Sequence, residues 1–260
     1  MAFSVIIPAR FQSQRLPGKV LMDILGKTMI QRVYEQACQS SASQVIVATD
    51  DERVASIVKS FGGKVCMTAS DHESGTDRLQ EVVVREGLDD DAIVVNVQGD
   101  EPLIPPAVID QVARNLALQS HDYRSNDMPG VSTLYEETTD LQQIMDPNVV
   151  KVVTDENNRA LYFSRAPIPW ARNEFSTSPV TLPDGVIYKR HVGIYGYRVE
   201  LLNRFVGWKP APLEVLEKLE QLRVLWHGEA IHIEVACESM PPGVDTQRDL
   251  DYIRSLLANA

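Results

Sequence analysis

Short apolar runs alternate with amphipathic stretches over the first 120 residues, as in chains of alternating strands and helices. Four runs have the length of strands buried on both faces of a sheet. They are FSVII (3–7), QVIVATD (44–50), KVCM (64–67) and AIVVNVQ (92–98). Apolar residues at helical spacing predict helices over residues 28–40, 51–63, 75–86 and 104–119. The pattern predicts an α/β fold with a mostly parallel, Rossmann-like sheet.

The second half of the chain is richer in predicted strands. These strands are VSTLYEE, KVVTD, RALYFSR, HVGIYGYR and IHIEVA. Residues 166–185 are rich in Pro, Ser and Thr, which is typical of a long loop. Helices are predicted over residues 213–228 and from Thr246 to the last residue. We therefore expect a single α/β domain over residues 1–260, in which residues from approximately 121 to 212 form a mixed-sheet insertion and a smaller subdomain.

Composition and charge argue against several classes of protein. The chain is 44% hydrophobic and 23% charged, as ordinary globular chains are. Its net charge of -11 and pI near 4.9 argue against binding to nucleic acids or anionic membranes. Three cysteines without a CxxC pair indicate neither a zinc ribbon nor a disulfide framework. No signal-peptide pattern and no run of ~18 apolar residues is present, so we expect a cytoplasmic location.

Three cations are gathered in the loop PARFQSQRLPGK (8–19), directly after the first predicted strand. Ligands of open parallel sheets bind at the carboxyl ends of the strands, where this loop begins. The loop is neither a GxGxxG fingerprint nor a P-loop, because Gly18 and Lys19 are followed by Val20. Two arginines and a lysine suit a polyphosphate. The alternative is a solvated basic loop.

Two acids are candidates for the chemistry beside this loop. Asp100 follows a buried strand in VNVQGDEP, so it should lie at the same edge of the sheet. Asp245 lies in GVDTQRD, just before the last predicted helix. Each has a structural alternative. Asp100 could be an ordinary turn residue, and Asp245 could belong to the entry turn of a helix that Thr246 and Asp249 cap.

Seven stretches together resemble the 3-deoxy-manno-octulosonate cytidylyltransferases, a family within the sugar nucleotidyltransferases. The resemblance extends from about residue 2 to the C-terminus, and several of its motifs are specific to this family. The stretches are PARFQSQRLPGK, DHESGTDR (71–78), VNVQGDEP (95–102), YFSRAPIPW (162–170), HVGIYGYR (191–198), LEQLRVLW (219–226) and GVDT (243–246).

The resemblance implies an activity, substrates and a cofactor. Members of this family transfer CMP from CTP to 3-deoxy-D-manno-octulosonate (KDO), which gives CMP-KDO and pyrophosphate for lipopolysaccharide synthesis. The implied partners are therefore the small molecules CTP and KDO, with no nucleic acid and no membrane. The resemblance also implies Mg²⁺ held by Asp100 and Asp245, and a homodimer with the insertion at its interface.

The resemblance further assigns roles to individual residues, and Lys19, Asp100 and Arg10 are the implied catalytic residues. Those implied to bind the nucleotide are Ala9, Arg10, Arg15, Lys19, Ser74, Gly75 and Arg78. Those implied to bind the sugar are Gln98, Arg165, His191, Tyr195, Glu220 and Gln221.

Several of these residues also have a purely structural reading. Ser74 with Asp77 three residues later could simply cap a helix, and Arg78 could form a surface salt bridge. His191 and Tyr195 alternate on a predicted strand and could be ordinary hydrogen-bonded residues. Glu220 and Gln221 lie off the leucine stripe of the helix predicted over residues 213–228 and could be solvated.

Three rival functions remain open at this point. One is cytidylyl transfer to another 2-keto acid sugar, such as sialic acid. The second is a glycosyltransferase, whose DxD metal motif Asp89-Asp90-Asp91 formally matches. This triplet precedes a predicted strand instead of following one, which favours a solvated turn. The third is a nucleotide-binding regulator without catalytic activity.

Overall fold

The computed structural model describes residues 2–12, 16–72, 74–119 and 129–258. Its strands, in chain order, are β1 Phe3–Pro8, β2 Asp23–Ile24, β3 Lys27–Thr28, β4 Gln44–Thr49, β5 Lys64–Met67, β6 Ile93–Asn96, β7 Val131–Thr138, β8 Lys151–Thr154, β9 Ala160–Ser164, β10 Tyr188–Arg198 and β11 Ile231–Val235. Its α-helices are α1 Met29–Ala37, α2 Glu52–Ser60, α3 Gly75–Arg85, α4 Pro106–Leu118, α5 Leu141–Met145, α6 Val199–Phe205, α7 Pro212–Glu217, α8 Gln221–Trp226 and α9 Gln247–Ala258.

Four parallel strands form the first half of the main sheet, in the order β5-β4-β1-β6. The chain moves outward from β1 to β4 and β5, and then returns to place β6 on the other side of β1. The strand order therefore reverses between β1 and β6, which is where open α/β sheets bind ligands. The predicted α/β class with a mostly parallel sheet is confirmed.

The second half of the chain extends the same sheet. Strand β10 runs antiparallel to β6 on one side and to β7 on the other, and β11 pairs in parallel with β7. Strands β8 and β9 form a hairpin that joins β10 through the pair Arg190 and Lys151. The sheet is thus mixed where mixed pairing was expected, while the division into a domain and an insertion stays a prediction.

The helix predicted over residues 213–228 is wrong as a single element. The structure has two short helices, α7 and α8, separated at Lys218, whose φ of 54° is left-handed and ends a helix. The two helices fold onto each other because Glu214 and Arg223 form a buried ion pair with two hydrogen bonds. Leu216 of the supposed apolar stripe is 81% exposed. Helices α5 and α6 and the β2–β3 hairpin were not predicted.

The carboxyl ends of β1 and β6 approach each other closely at Gly99. A Cβ atom on Gly99 would lie 2.8 Å from the carbonyl oxygen of Pro8, so a larger residue would force the backbone apart. This contact places Arg10 and Asp100, which follow the two strands, beside one another.

Within the described ranges, no helix has the length and apolar character needed to cross a membrane.

Candidate active site

A cavity of about 420 Å³ opens at the point where the strand order reverses. Its walls come from the turns after β1 and β6, from the face of β10, and from the first turns of α3 and α8. The predicted site residues among its lining are Arg10, Lys19, Gly75, Gln98, Asp100, Tyr195, Glu220 and Gln221. The sequence therefore identified residues that are far apart in the chain and lie on one cavity.

Lys19 joins the two predicted metal-binding acids. Its Nζ donates to Asp100 Oδ2 at 2.5 Å, to Asp245 Oδ1 at 3.1 Å and to the carbonyl oxygen of Val244 at 3.2 Å. Burial alone would lower the pKa of Lys19, but Asp100 and then Asp245 raise it overall. The lysine is therefore a permanent cation between two carboxylates.

Arg10 connects the basic loop to the turn that precedes α3. Its Nη2 donates to the carbonyl oxygens of His72 at 2.8 Å and Ser74 at 2.9 Å. Ser74 and Asp77 form the expected capping box, in which each side chain accepts from the other residue's backbone N–H. A Cβ atom on Gly75 would meet no protein atom within 4 Å, so the space above this turn is open.

The base of the basic loop is closed by a stack of side chains. Gly18 has a φ of 69° and donates its N–H to the carbonyl oxygen of Phe11, and a Cβ atom on Gly18 would lie 3.1 Å from the Phe11 ring. The guanidinium of Arg53 lies 3.5 Å from the centre of that ring. Asp51 holds Arg53 through two hydrogen bonds. These contacts fix the backbone from which Lys19 extends.

Three of the described residues implied to bind the nucleotide, Ala9, Ser74 and Arg78, are absent from the cavity wall. Arg15 lies outside the described residues. Ala9 is buried in the turn after β1, where its N–H donates to the carbonyl oxygen of Ala48. Arg78 is fully buried, where it hydrogen-bonds Thr68 and lies 3.4 Å from Asp50. It is thus neither the surface salt bridge of the alternative reading nor a group on the cavity wall.

Arg165 is also held away from the cavity. Its guanidinium donates to the carbonyl oxygens of Glu217 at 2.6 Å and Pro147 at 2.9 Å. Its backbone N–H is bound by the Glu217 carboxylate. The side chain therefore ties three loops together in this structure, and its implied contact with a sugar carboxylate stays a prediction.

The face of β10 that was predicted to contact the sugar carries a row of rings. His191, Tyr195 and Tyr197 are neighbours at ring distances of 5.4 and 5.8 Å. Tyr195 and Tyr197 line the cavity, whereas His191 lies behind them and hydrogen-bonds Thr133 at 3.0 Å. Burial raises the pKa of both tyrosines, so their phenols stay protonated. Gln98 Nε2 donates to Gly193 on the same strand.

Glu220 and Gln221 begin α8 and face the cavity, so the solvated alternative is wrong for them. Burial raises the pKa of the Glu220 carboxyl, and the hydroxyls of Thr76 and Ser74 offset part of the rise. The break at Lys218 is what turns this pair inward, because a continuous helix would present residue 220 on another face. Glu220 thus connects the β10 side of the cavity to the α3 side.

Sequence reasoning missed several residues of the cavity wall. The polar ones are Gln12, Thr76, Asn96 and Tyr197. Asn96 was detectable, because alternation along β6 puts it on the same face as Gln98. Thr76 and Tyr197 lie within quoted motifs but received no role.

The triplet Asp89-Asp90-Asp91 lies before β6, at the opposite end of the strand from the cavity, and Asp90 hydrogen-bonds Asn203.

The acids fit a metal ion that is shared with phosphate groups. Among the residues that the structure describes, no three His, Cys, Asp or Glu side chains are arranged to hold a metal by themselves. Asp100 and Asp245 nevertheless hold one cation jointly, the Lys19 ammonium. Two carboxylates completed by phosphate oxygens are what Mg²⁺ prefers in nucleotide sites.

We expect His191 to stay neutral at every pH at which the protein is folded. Burial lowers its pKa to about 3, from an ordinary 6.5. Below 6.5 the unfolded chain binds a proton that the folded chain does not, so the free energy of unfolding should fall as the pH drops. In urea unfolding, the free energy of unfolding of His191→Gln should fall less steeply between about pH 6 and 4 than that of the wild type. Parallel curves for the two proteins would contradict the assignment.

Comparison with known proteins identifies relatives over the whole chain. A model of the cytidylyltransferase family matches residues 4–231. The chain is 56% identical to 3-deoxy-manno-octulosonate cytidylyltransferase of Vibrio vulnificus (strain CMCP6) over 258 residues, 99% of each chain. It is also 56% identical to the protein of that name from Saccharophagus degradans over 264 residues, 100% of both chains.

A solved structure agrees with these relatives. It is "the structure of CMP:2-keto-3-deoxy-manno-octonic acid synthetase complexed with CTP", and it is 42% identical to this chain with a TM-score of 0.85. The match covers 99% of this chain and 98% of the other. With relatives this similar over their full length, the chain belongs to the cytidylyltransferase family, in the group of the 3-deoxy-manno-octulosonate cytidylyltransferases.

Proposed function

We infer that this protein transfers CMP from CTP to KDO and releases pyrophosphate. The observation that carries this conclusion is the meeting of Arg10, Lys19 and Asp100 in one cavity at the reversal of strand order, where Asp245 binds the same lysine. The full-length relatives carry this activity in their names. The solved structure at 42% identity was determined with CTP bound.

The reaction is an in-line displacement at the α-phosphate. The 2-hydroxyl oxygen of KDO forms a bond to the α-phosphorus while the bond to the β-phosphate oxygen breaks, so pyrophosphate leaves and the hydroxyl proton is lost. No covalent intermediate with the protein is required. Catalysis of such transfers depends on positioning and on stabilising charge. Arg10 and Lys19 are placed to offset the charge of the phosphates, and Arg15 is proposed to join them.

Asp100 and Asp245 are the proposed ligands of Mg²⁺, which would supply Lewis-acid stabilisation of phosphate charge. The protein's own contribution is to hold both carboxylates at one point through Lys19 and through the turn at Val244, whose N–H donates to the Asp100 carbonyl oxygen. The turn at Ser74 and Gly75 is the proposed site of the cytosine. Its backbone groups are rigid because the capping box fixes them.

The sugar side of the cavity is proposed to consist of Gln98, Tyr195, Glu220 and Gln221, with His191 behind it and Arg165 at its rim. A cytoplasmic location, a homodimer with residues 121–212 near its interface, and a role in lipopolysaccharide synthesis accompany this proposal. They rest on the relatives and on the sequence, and the cavity geometry does not depend on them.

Pyrophosphate release distinguishes this function from its rivals. We expect release with CTP and KDO together, at least about 100-fold slower release with UTP, because a wrong base leaves buried polar groups unpaired, and none with CTP alone. Release with sialic acid at the rate seen with KDO would favour the other 2-keto acid sugar. Absence of release with every sugar acid tested, while CTP still binds, would favour a regulator and overturn the inference.

A further inference from the structure

Three buried polar atoms on the cavity wall have no hydrogen-bond partner among the residues that the structure describes. They are Asn96 Oδ1, the Tyr195 hydroxyl and Glu220 Oε1. The Thr133 hydroxyl acts on Tyr195, and the Ser74 and Thr76 hydroxyls act on the Glu220 carboxyl, so Asn96 Oδ1 is the clearest case of the three. A group that is buried and unpaired destabilises the fold, and folded proteins rarely leave one so unless a ligand or water completes it. Three of them on one cavity indicate that the wall is built for a polar ligand.

The backbone brings two of these atoms together. Asn96 ends β6 and is the antiparallel partner of Tyr195 on β10. Gln98, two residues beyond Asn96, hydrogen-bonds Gly193, two residues before Tyr195. Asn96 therefore belongs to the β10 side of the cavity, opposite the turn of Ser74 and Gly75.

The chemistry of the three atoms indicates what they bind. A carboxylate oxygen and an amide oxygen accept hydrogen bonds, and a phenol hydroxyl both accepts and donates. A phosphate offers acceptors only and would find no donor at Asn96 Oδ1 or Glu220 Oε1. The polyhydroxylated chain of a sugar acid offers O–H groups that can pair with all three atoms. The ribose of a nucleotide also carries hydroxyls, but Asn96 pairs with β10, across the cavity from the turn proposed to hold the base.

We propose that Asn96 binds a hydroxyl of the sugar acid and helps to determine which sugar acid is accepted. Together with Tyr195 and Glu220 it forms a cluster that recognises the polyol part of that substrate. The proposal rests on the proposed function and adds to it Asn96, a residue that no motif had singled out. It also predicts that Asn96 has no part in holding CTP.

The test compares Asn96→Ala with Asn115→Ala as a matched control. Asn115 is a buried asparagine on α4 that also has an unpartnered amide nitrogen, but it does not line the cavity. We expect Asn96→Ala to raise the KM for KDO at least tenfold, with the KM for CTP within about twofold of the wild type. Asn115→Ala should leave both KM values within about twofold.

A substrate series separates recognition from a merely structural effect. With the wild type, analogues of KDO that each lack one hydroxyl should include one that loses about tenfold in kcat/KM. For Asn96→Ala that same analogue should lose nothing further, since the contact is already absent. Additive losses for every analogue, an unchanged KM for KDO, or an equal rise in the KM for CTP would each overturn the proposal.

Asn96→Asp serves if Asn96→Ala does not fold, which thermal unfolding will show. It keeps the size of the side chain and the accepting oxygen but places a buried negative charge beside the sugar acid, so the KM for KDO should still rise selectively, though less than in Asn96→Ala. The wild-type assay is read first, with CTP and KDO. If it releases no pyrophosphate the proposed function fails, whereas normal wild-type release with an unaffected variant refutes only the role of Asn96.

Discussion

Asp100→Asn should abolish turnover, with a fall in kcat of about a thousandfold or more. The substitution keeps the size of the side chain but removes the charge that binds Lys19 at 2.5 Å and that is proposed to bind Mg²⁺. CTP should still bind, although weakly, because Arg10 and the turn at Ser74 remain in place. Single-turnover pyrophosphate release and equilibrium CTP binding measure the two effects separately.

The matched control is Asp184→Asn, which changes an exposed aspartate in the long loop outside the cavity. It should leave kcat and the KM for CTP unchanged within about twofold. If Asp100→Asn turned over as fast as the wild type, Asp100 would not be a metal ligand. If the control lost as much of its kcat as Asp100→Asn, the assay would be reporting on stability. The thermal midpoint of each variant decides between these readings.

Lys19→Met should lower kcat/KM for CTP by at least about a hundredfold. Methionine keeps much of the length of the side chain, but it leaves Asp100 and Asp245 facing each other without their cation. The pKa of Lys19 lies above 10.5, so the wild-type side chain is charged throughout any usable assay range and the loss should not depend on pH there.

A second measurement tests the same arrangement without catalysis. In the absence of nucleotide, Lys19→Met should bind Mg²⁺ more tightly than the wild type in titration calorimetry, because the two carboxylates no longer share an ammonium. Lys27→Met is the control, since it breaks an ion pair with Glu35 in which both side chains are about 40% exposed and which contributes little. Equal Mg²⁺ affinity in Lys19→Met and the wild type would contradict the shared-cation arrangement.

The sequence predicted the strands of the parallel half closely because their apolar runs have sharp polar boundaries. KVCM was predicted with the bounds of β5, and FSVII falls within β1. The prediction of a single helix over residues 213–228 was wrong, because leucines at helical spacing are compatible with one long helix and with two short ones. The break at Lys218 depends on the buried pair of Glu214 and Arg223, a tertiary contact that no local pattern reveals.

The position of a site residue could be predicted where that residue directly follows a strand. It could not be predicted where a long side chain can reach several groups that are distant in sequence. Arg10 and Asp100 follow β1 and β6, so the topology fixes their place. Arg78 turns toward Asp50 and Thr68, and Arg165 toward the carbonyl oxygens near residue 217. The partners of these two arginines depend on which groups the fold buries around them, and composition and spacing do not reveal that.

The bond between Lys19 and Asp245 joins positions 226 residues apart. A polypeptide emerging from the ribosome therefore cannot form this bond until residue 245 has been synthesised, after every strand of the main sheet. A chain that stops before residue 245 lacks one of the two proposed metal ligands, so we expect it not to turn CTP over even where it binds the nucleotide. Deletion from residue 245 onward should therefore abolish turnover as thoroughly as Asp100→Asn does.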